Sequence, residues 1–273
     1  IGLDCANGAA TAIAPALFES LGAETHAVGC EPDGRNINLG CGSLHLDSLS
    51  ALVRERGLAL GIAFDGDADR VLMVAHTGSM VDGDRLLLVL AKYLKRLGQL
   101  NSDTVVATVM SNFGLEQALR KNGMRVLRVA VGDKYVLEAL RANHLSLGGE
   151  QSGHIIIPAV GWAGDGIASA LMVLKALKMF GVDLKEAVAE FISCPQVLIN
   201  VRVARKVEFT MLPKVMEAVA DAEARLGADG RVLLRYSGTE PLARVMLEGE
   251  DATLVNGLAK RVAEAIRQEI GEC

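Results

Sequence analysis

Aromatic side chains make up 4% of this 273-residue sequence, with one tryptophan, although 51% of the residues are hydrophobic. The apolar content is therefore Ala, Leu and Val, the usual filling of α/β proteins. No run of 18 apolar residues occurs, which excludes a membrane-spanning helix. No Lys/Arg block occurs either, and the net charge is −5 with a pI near 5.6. Both argue against a nucleic-acid partner held by phosphate neutralisation. The five cysteines (Cys5, Cys30, Cys41, Cys194 and Cys273) form no C-x-x-C pair. Neither a zinc site nor a disulfide framework is expected, each cysteine reads as a small core or surface residue, and a reducing, cytoplasmic setting fits best. The sequence has no initiating Met and no charged segment leading into an apolar one, and Ile1 is not expected to open a signal peptide. Ile1-Gly2-Leu3-Asp4 reads as the end of a strand, and the chain is expected to start inside a larger protein.

The order of elements implies α/β architecture. Ile1–Leu3 reads as a strand, and Ile13, Leu17 and Leu21 form a helix stripe that Pro15 kinks or delays. A helix through Leu49, Leu52 and Val53 ends at Gly57, and the strands Leu60–Phe64 and Val71–Val74 follow. Asp84 is expected to cap a helix with the stripe Leu87, Leu90, Ala91 and Leu94. Strands at Thr104–Val109, Val126–Val129 and Leu145–Leu147 then alternate with helices at Phe113–Lys121 and Tyr135–Arg141, as in a mainly parallel sheet. Helices Ile167–Met179 and Asp183–Phe191 complete that unit, and Cys194-Pro195 marks a break. Beyond it come the strand Val197–Val203, the helix Leu212–Leu226, the strands Val232–Tyr236 and Ala243–Glu248, and the helix Leu254–Ile270. The expected layout is two α/β domains with mixed sheets, 1–80 and 81–193, followed by a small α+β domain, 197–273.

Three loops carry chemistry. Asp65-Gly66-Asp67-Ala68-Asp69-Arg70 follows an apolar strand and places carboxylates at i, i+2 and i+4. Such crowding is costly unless a cation sits among them. The sixth position is Arg70 where an EF-hand needs Gly, and the twelfth is His76 where it needs Glu. A single tight loop of hard oxygens favours Mg²⁺ completed by phosphate oxygens. Without a cation the segment is a solvated acidic turn. Gly148-Gly149-Glu150-Gln151-Ser152-Gly153-His154 lets backbone approach a ligand closely. Glu150 and Ser152, alternating, can face one side and bind vicinal sugar hydroxyls, and His154 can exchange a proton near neutral pH. The blander alternative is a polar turn. In Arg235-Tyr236-Ser237-Gly238-Thr239-Glu240-Pro241, with Arg244 beyond, two guanidinium forks and exposed backbone N–H groups suit a phosphate. A plain hairpin with surface arginines is the competing reading. A weaker fourth candidate is Val131-Gly132-Asp133-Lys134-Tyr135, in which Lys134 can reach an anion. Gly164-Asp165-Gly166 reads as a helix start.

These loops, in this order, resemble those of the α-D-phosphohexomutase family: Asp65–Arg70 its metal loop, Gly149–His154 its sugar loop and Arg235–Pro241 its phosphate loop. Tyr236 stands where Lys is more familiar. Asp33–Asn38, with Cys41-Gly42-Ser43, resembles a segment of the members that act on hexosamine phosphates. The resemblance spans essentially the whole chain. The family carries its phosphorylated serine in a Ser-His-Asn loop of a first domain, and no Ser-His-Asn occurs here. The resemblance therefore implies the second, third and fourth domains, with the N-terminal domain missing and this chain inactive alone. It implies Mg²⁺ on Asp65, Asp67 and Asp69 and a phosphoserine paired with Arg70. It further implies sugar hydroxyls on Glu150 and Ser152, and the non-reacting phosphate on Arg235, Ser237, Gly238, Thr239 and Arg244. His154 and Lys134 would help in proton transfer or binding. The implied reaction interconverts glucosamine 6-phosphate and glucosamine 1-phosphate for UDP-N-acetylglucosamine and peptidoglycan synthesis, and a homodimer is left open.

The acidic loop is also compatible with other enzyme and binding classes. A haloacid-dehalogenase-type phosphatase also ends a strand in Asp-x-Asp, but Asp69 stands where Thr or Val is expected and two loops go unexplained. A non-catalytic sugar-phosphate module and a phosphomannomutase/phosphoglucomutase are the remaining alternatives.

Overall fold

A computed structural model describes residues 1–272; Cys273 lies outside them, and the four described cysteines are unbridged. The elements in chain order are β1 (Gly2–Asp4), α1 (Ala14–Ser20), β2 (His26–Val28), α2 (Asp47–Arg56), β3 (Leu60–Phe64), β4 (Val71–Ala75), β5 (Met80–Val81) and α3 (Gly83–Arg96). Then come β6 (Thr104–Thr108), α4 (Phe113–Lys121), β7 (Arg125–Val129), α5 (Asp133–Ala142), β8 (Gly148–Gly149), β9 (Ile155–Ile156), α6 (Gly166–Phe180) and α7 (Leu184–Ala187). The last are β10 (Gln196–Arg202), α8 (Pro213–Leu226), β11 (Gly230–Tyr236), β12 (Leu242–Gly249) and α9 (Ala252–Ile270). Contacts divide the chain into two compact units. One holds residues 1–111 and 118–192; the other holds residues 112–117 and the chain from Ser193 onward.

The first unit contains two mixed sheets. One has the order β2-β1-β3-β4-β5, with β2, β1 and β3 parallel and β4 and β5 antiparallel. The other has the order β7-β6-β8-β9, parallel except for β9. Helix α3 packs against α6, β4 and β8, and α6 against β3 and β4. Buried contacts thus run from one sheet to the other through these helices. Of its 14 residues, 10 are buried, including Leu86, Leu88, Val89 and Tyr93 outside the expected stripe. Helix α3 is buried over most of its circumference, leaving Arg85, Lys92, Lys95 and Arg96 on the remainder, and each fully buried Leu contributes about 2 kcal/mol.

Several sequence expectations shift. The cap of α3 is Asp82, whose carboxylate accepts from the Arg85 N–H at 3.1 Å, while Asp84 lies buried in the first turn. Asp82 has the extended backbone that a cap needs, two residues earlier than expected. The Ile13, Leu17, Leu21 stripe is not the buried face of α1. Ala14 and Phe18 are buried, Ile13 and Leu21 are exposed, and Pro15 marks the helix start. The strand expected at Leu145–Leu147 forms at Gly148–Gly149, where the absence of side chains lets β8 pass between β6 and β9. The helix after Asp183 is a single turn with a capping box, ending at Ala187 rather than Phe191. The short strands β2, β5 and β9 had no expectation.

The second unit is the α+β part. Its antiparallel sheet has the order β10-β12-β11. Alternation along β12 sends Ala243, Val245 and Leu247 into a core with Val215, Val219, Leu258, Val262, Ile266 and Ile270 of α8 and α9. The opposite face carries Arg244, paired directly with Arg235 on β11 and Asn200 on β10.

Candidate functional site

The acidic loop joins β3 to β4, an antiparallel pair in which Phe64 faces Val71. All five β3 residues are buried, so Asp65 leaves the sheet from its interior and is only 8% exposed. Asp69 is half-buried and Asp67 exposed, and one ligand oxygen from each lies within 4.8 Å of the others. The Arg70 N–H donates to Asp65 Oδ1 at 3.1 Å. Arg70 Nε stands 3.7 Å from both Asp65 Oδ2 and Asp69 Oδ1. Burial pushes the Asp65 carboxyl up to about 6; the Arg70 N–H opposes this, and the Asp69 and Asp67 carboxylates add to it. Asp69 Oδ1 and Arg70 Nε are buried with no hydrogen-bond partner. Three hard carboxylates with an unsatisfied buried oxygen suit a divalent, oxygen-seeking cation.

The glycine loop meets this loop directly. His154 is 7% exposed, and its Nδ1 lies 3.2 Å from Asp69 Oδ2. Val71 N–H donates to the Gly153 carbonyl at 3.1 Å, and Arg70 and His154 form an isolated antiparallel bridge. Gly153 has φ +93°, and a Cβ there would fall 2.2 Å from the Val71 oxygen. Gly164 packs under the His154 ring, where a Cβ would meet ring atoms at 2.4–2.7 Å. Asp165 caps α6 by accepting from Ala168 N–H, and Gly166 N–H donates to the Ala68 carbonyl of the acidic loop at 2.9 Å.

Glu150 and Ser152 do not alternate along an extended strand. Residues 150–153 form the tight turn between β8 and β9, closed by Gly153 N–H on the Glu150 carbonyl and Glu150 N–H on the His154 carbonyl. Glu150 Oε1 accepts from Gly132 N–H at 3.1 Å, and Ser152 is exposed. That bond brings the start of α5 to the glycine loop. Lys134 is exposed, its ammonium 5.6 Å over the Tyr135 ring. His154 faces the acidic loop rather than open solvent, with Nδ1 against Asp69.

Support for the acidic loop comes from residues the sequence did not single out. Asp4 is fully buried and accepts from Ala6 N–H at 3.0 Å and Gly42 N–H at 2.8 Å. Burial holds its carboxyl above the usual range, and those two N–H groups work against the shift. The loops it stitches together cradle Gly66: Ala9 N–H donates to the Gly66 carbonyl, and a Cβ on Gly66 would meet Ile37 at 2.6 Å and Asn38 at 2.8 Å. The Asp33–Asn38 segment is thus a wall of the acidic loop. A carboxylate ending a β-strand was the only available signal for Asp4.

In the second unit, β11 and β12 form a hairpin around residues 237–241. Arg235 and Arg244 sit directly opposite each other, a like-charge pairing that is unfavourable without an anion. Burial and the Arg244 charge both lower the Arg235 guanidinium pKa. Arg244 Nη2 reaches Ser237 Oγ at 3.5 Å and Glu240 Oε2 at 3.4 Å, and its Nε is buried without a partner. Glu240 thus holds two groups that a phosphate would use. Lys206, absent from the sequence candidates, donates to the Ser237 carbonyl at 2.6 Å. The basic run Arg202…Arg205-Lys206 was its signal.

Three models of one family match this chain. They are the phosphoglucomutase/phosphomannomutase alpha/beta/alpha domain II over residues 1–78, alpha/beta/alpha domain III over 82–194, and C-terminal domain over 198–265. The chain belongs to the phosphoglucomutase/phosphomannomutase family. Among this family's curated members, the phosphoglucosamine mutase of Geotalea daltonii is 50% identical over 269 residues, which are 98% of this chain and 59% of that protein. That of Saccharopolyspora erythraea is 51% identical over 264 residues, 97% of this chain and 60% of that protein. The chain therefore spans about three fifths of the relatives it matches. Solved structures share the family fold. An Aspergillus fumigatus N-acetylphosphoglucosamine mutase, in complex with GlcNAc-6P and magnesium, superposes with TM-score 0.75 at 22% identity, covering 97% of this chain and 65% of that one. A phosphoglucomutase/phosphomannomutase family protein from Burkholderia thailandensis gives 0.75 at 21% identity, covering 99% and 62%.

Proposed function

We propose that this chain forms the metal-, sugar- and phosphate-binding part of a bacterial phosphoglucosamine mutase. The observation that carries the reading is a guanidinium, Arg70, set 3.7 Å from two of three clustered carboxylates. A cation site beside an anion-pairing arginine is what a phosphoryl group bound to a divalent ion requires. The identity of about 50% to phosphoglucosamine mutases supports glucosamine 6-phosphate and glucosamine 1-phosphate as the substrate pair. We assign residues 1–80, 81–193 and 197–273 to the family's second, third and fourth domains. The phosphoserine comes from outside these residues.

Asp65, Asp67 and Asp69 would hold Mg²⁺, which when bound draws negative charge from the phosphoryl oxygens. Arg70 pairs with the same phosphoryl group from the protein side. His154 orients Asp69 through Nδ1, the usual task of a residue behind a metal ligand. Glu150 and Ser152 bind sugar hydroxyls, and Lys134 at the adjacent helix start adds positive charge for the substrate phosphate. Arg235, Arg244, Ser237, Thr239 and the Gly238 N–H hold the phosphate that is not being transferred, which fixes the sugar's orientation. Phosphoryl transfer needs positioning and charge neutralisation more than covalent help, and both are built from these residues. The product feeds UDP-N-acetylglucosamine and peptidoglycan synthesis in the cytoplasm. The test supplies the chain with a phosphoserine-bearing N-terminal domain and compares turnover of glucosamine, mannose and glucose phosphates. Preference for mannose or glucose phosphate would replace the reading with a phosphomannomutase/phosphoglucomutase, and no turnover of any would refute it.

A further inference from the structure

Lys206 lies between β10 and α8, and its ammonium donates a 2.6 Å hydrogen bond to the Ser237 carbonyl. The next residue is tied to the same hairpin. Val207 N–H donates to the Tyr236 hydroxyl at 3.2 Å, and that hydroxyl donates to the Val207 carbonyl at 2.6 Å. The Tyr236 ring stacks on Phe209, with centroids 4.4 Å apart and planes 8° apart. Two consecutive residues, 206 and 207, are thus bonded to two consecutive residues, 236 and 237, where β11 enters the turn. The Lys206 side chain is exposed, but its backbone root is held.

This bond fixes the orientation of one peptide group. Every described peptide is trans, so the Ser237 carbonyl and the Gly238 N–H lie in one plane and point in opposite directions across the bond that joins them. An ammonium that holds the carbonyl on one side presents the Gly238 N–H on the other. Two other N–H groups of the turn are engaged: Ser237 N–H donates to the Leu242 carbonyl at 2.8 Å, and Glu240 N–H to Ser237 Oγ at 3.3 Å. The N–H groups of Gly238 and Thr239 form no hydrogen bond among the described residues. A Cβ on Gly238 would meet nothing within 4 Å, so a ligand has room there. If the 237–238 peptide rotated, its carbonyl oxygen would turn toward any bound anion.

We infer that Lys206 is a positioning residue of the phosphate loop, locking the Ser237–Gly238 peptide so that the Gly238 N–H stays aimed at the substrate's non-reacting phosphate. This rests on the reading of the hairpin as a phosphate site.

The test follows backbone amide resonances of the whole ¹⁵N-labelled chain during titration with inorganic phosphate. The variants are Lys206→Met, Lys206→Arg, Tyr236→Phe and, as a charge control, Arg205→Met. Wild type should show the Gly238 amide proton moving downfield on binding. Lys206→Met should weaken phosphate binding about tenfold and largely abolish that shift, with an unchanged thermal midpoint. Lys206→Arg, which can also donate to the carbonyl, should restore most of both. Arg205→Met removes the same charge one residue away and should cost less than Lys206→Met while leaving the Gly238 shift intact. Tyr236→Phe should reduce the Gly238 shift by loosening the root of Lys206. Equal weakening by Lys206→Met and Arg205→Met, with a normal Gly238 shift in both, would reduce Lys206 to a diffuse charge and overturn the inference alone. No response of residues 237–239 in wild type would overturn the phosphate reading first and this inference with it.

Discussion

The acidic loop and the arginine hairpin both concentrate like charges, but they are built in opposite ways. The acidic loop is assembled from segments far apart in the chain: Gly8 and Ala9, Ile37 and Asn38, His154, and Gly166 all touch residues 65–70. Its charges are partly answered from within, by Arg70. The hairpin is local. Its two arginines are placed by the register of neighbouring strands, and its internal counter-charge is Glu240, from the same turn. A cation site of hard ligands needs several walls to hold crowded carboxylates at fixed distances, whereas a phosphate can be gripped by one flexible turn rich in N–H donors.

The largest effect that would break this comparison lies in the acidic loop. Asp67→Asn should remove Mg²⁺ binding and, once the chain is supplied with a phosphoserine-bearing N-terminal domain, lower turnover by about 10³-fold, a loss of the size seen when a preorganised charge-stabilising group is removed. The apo fold should keep its thermal midpoint or gain slightly, because one of three repelling charges is gone. Calorimetric titration with Mg²⁺ and a coupled mutase assay check both halves, and near-normal turnover would end the metal assignment.

Next comes the hairpin. Arg235→Ala should reduce kcat/KM by roughly 10–100-fold, the cost of a charge-assisted hydrogen bond. Arg235→Lys should recover only part of that, because an ammonium lacks the bidentate fork. Wild-type kinetics in a folded Arg235→Ala protein would contradict the assigned role.

Glycines sharpen the contrast in assembly. Gly153→Ala forces a Cβ to 2.2 Å from the Val71 oxygen at φ +93°, and should cost about 2 kcal/mol of stability by denaturant unfolding. Gly238→Ala, with open space around it, should change stability little and act on phosphate binding. Equal destabilisation by the two would mean the hairpin is as tightly walled as the acidic loop.

The smallest effect is in pH dependence. The Asp65 carboxyl, pushed up to about 6 from 3.8, holds its proton in the folded apo protein between those values while the unfolded chain releases it. Its contribution therefore favours the folded apo state at low pH and is lost as pH rises through about 6. Mg²⁺ competes with that proton, so metal affinity should fall by about tenfold per pH unit below 6. Asp65→Asn should flatten the apo stability curve in this window. Comparing Mg²⁺ titrations at pH 5 and 7 gives the sign, and equal affinity at both would place the raised carboxyl elsewhere.

What was legible in the sequence was whatever depends on neighbours in the chain. The carboxylate spacing at 65, 67 and 69, the Gly57 stop of α2, the Asp165 start of α6 and the i+4 stripe of α9 are local facts of geometry, and they stand in the structure. So is the β11–β12 hairpin, whose strands are joined by a short turn. Residues whose task is set across space could not be read in this way. Asp4 looks like any strand-end carboxylate until Gly42 and Ala6 are seen to bond to it. His154 is a lone histidine until Asp69 is found 3.2 Å away. The expected stripe on α1 failed because which face of a short helix is buried depends on what packs on it, here chosen by Ala14 and Phe18. The sequence by itself determined the order of the longer elements, the two charged loops and the family, but not the short strands β2, β5 and β9. Tertiary structure alone decided which backbone groups and second residues hold those loops in shape, because such contacts join positions dozens of residues apart whose pairing follows only from packing.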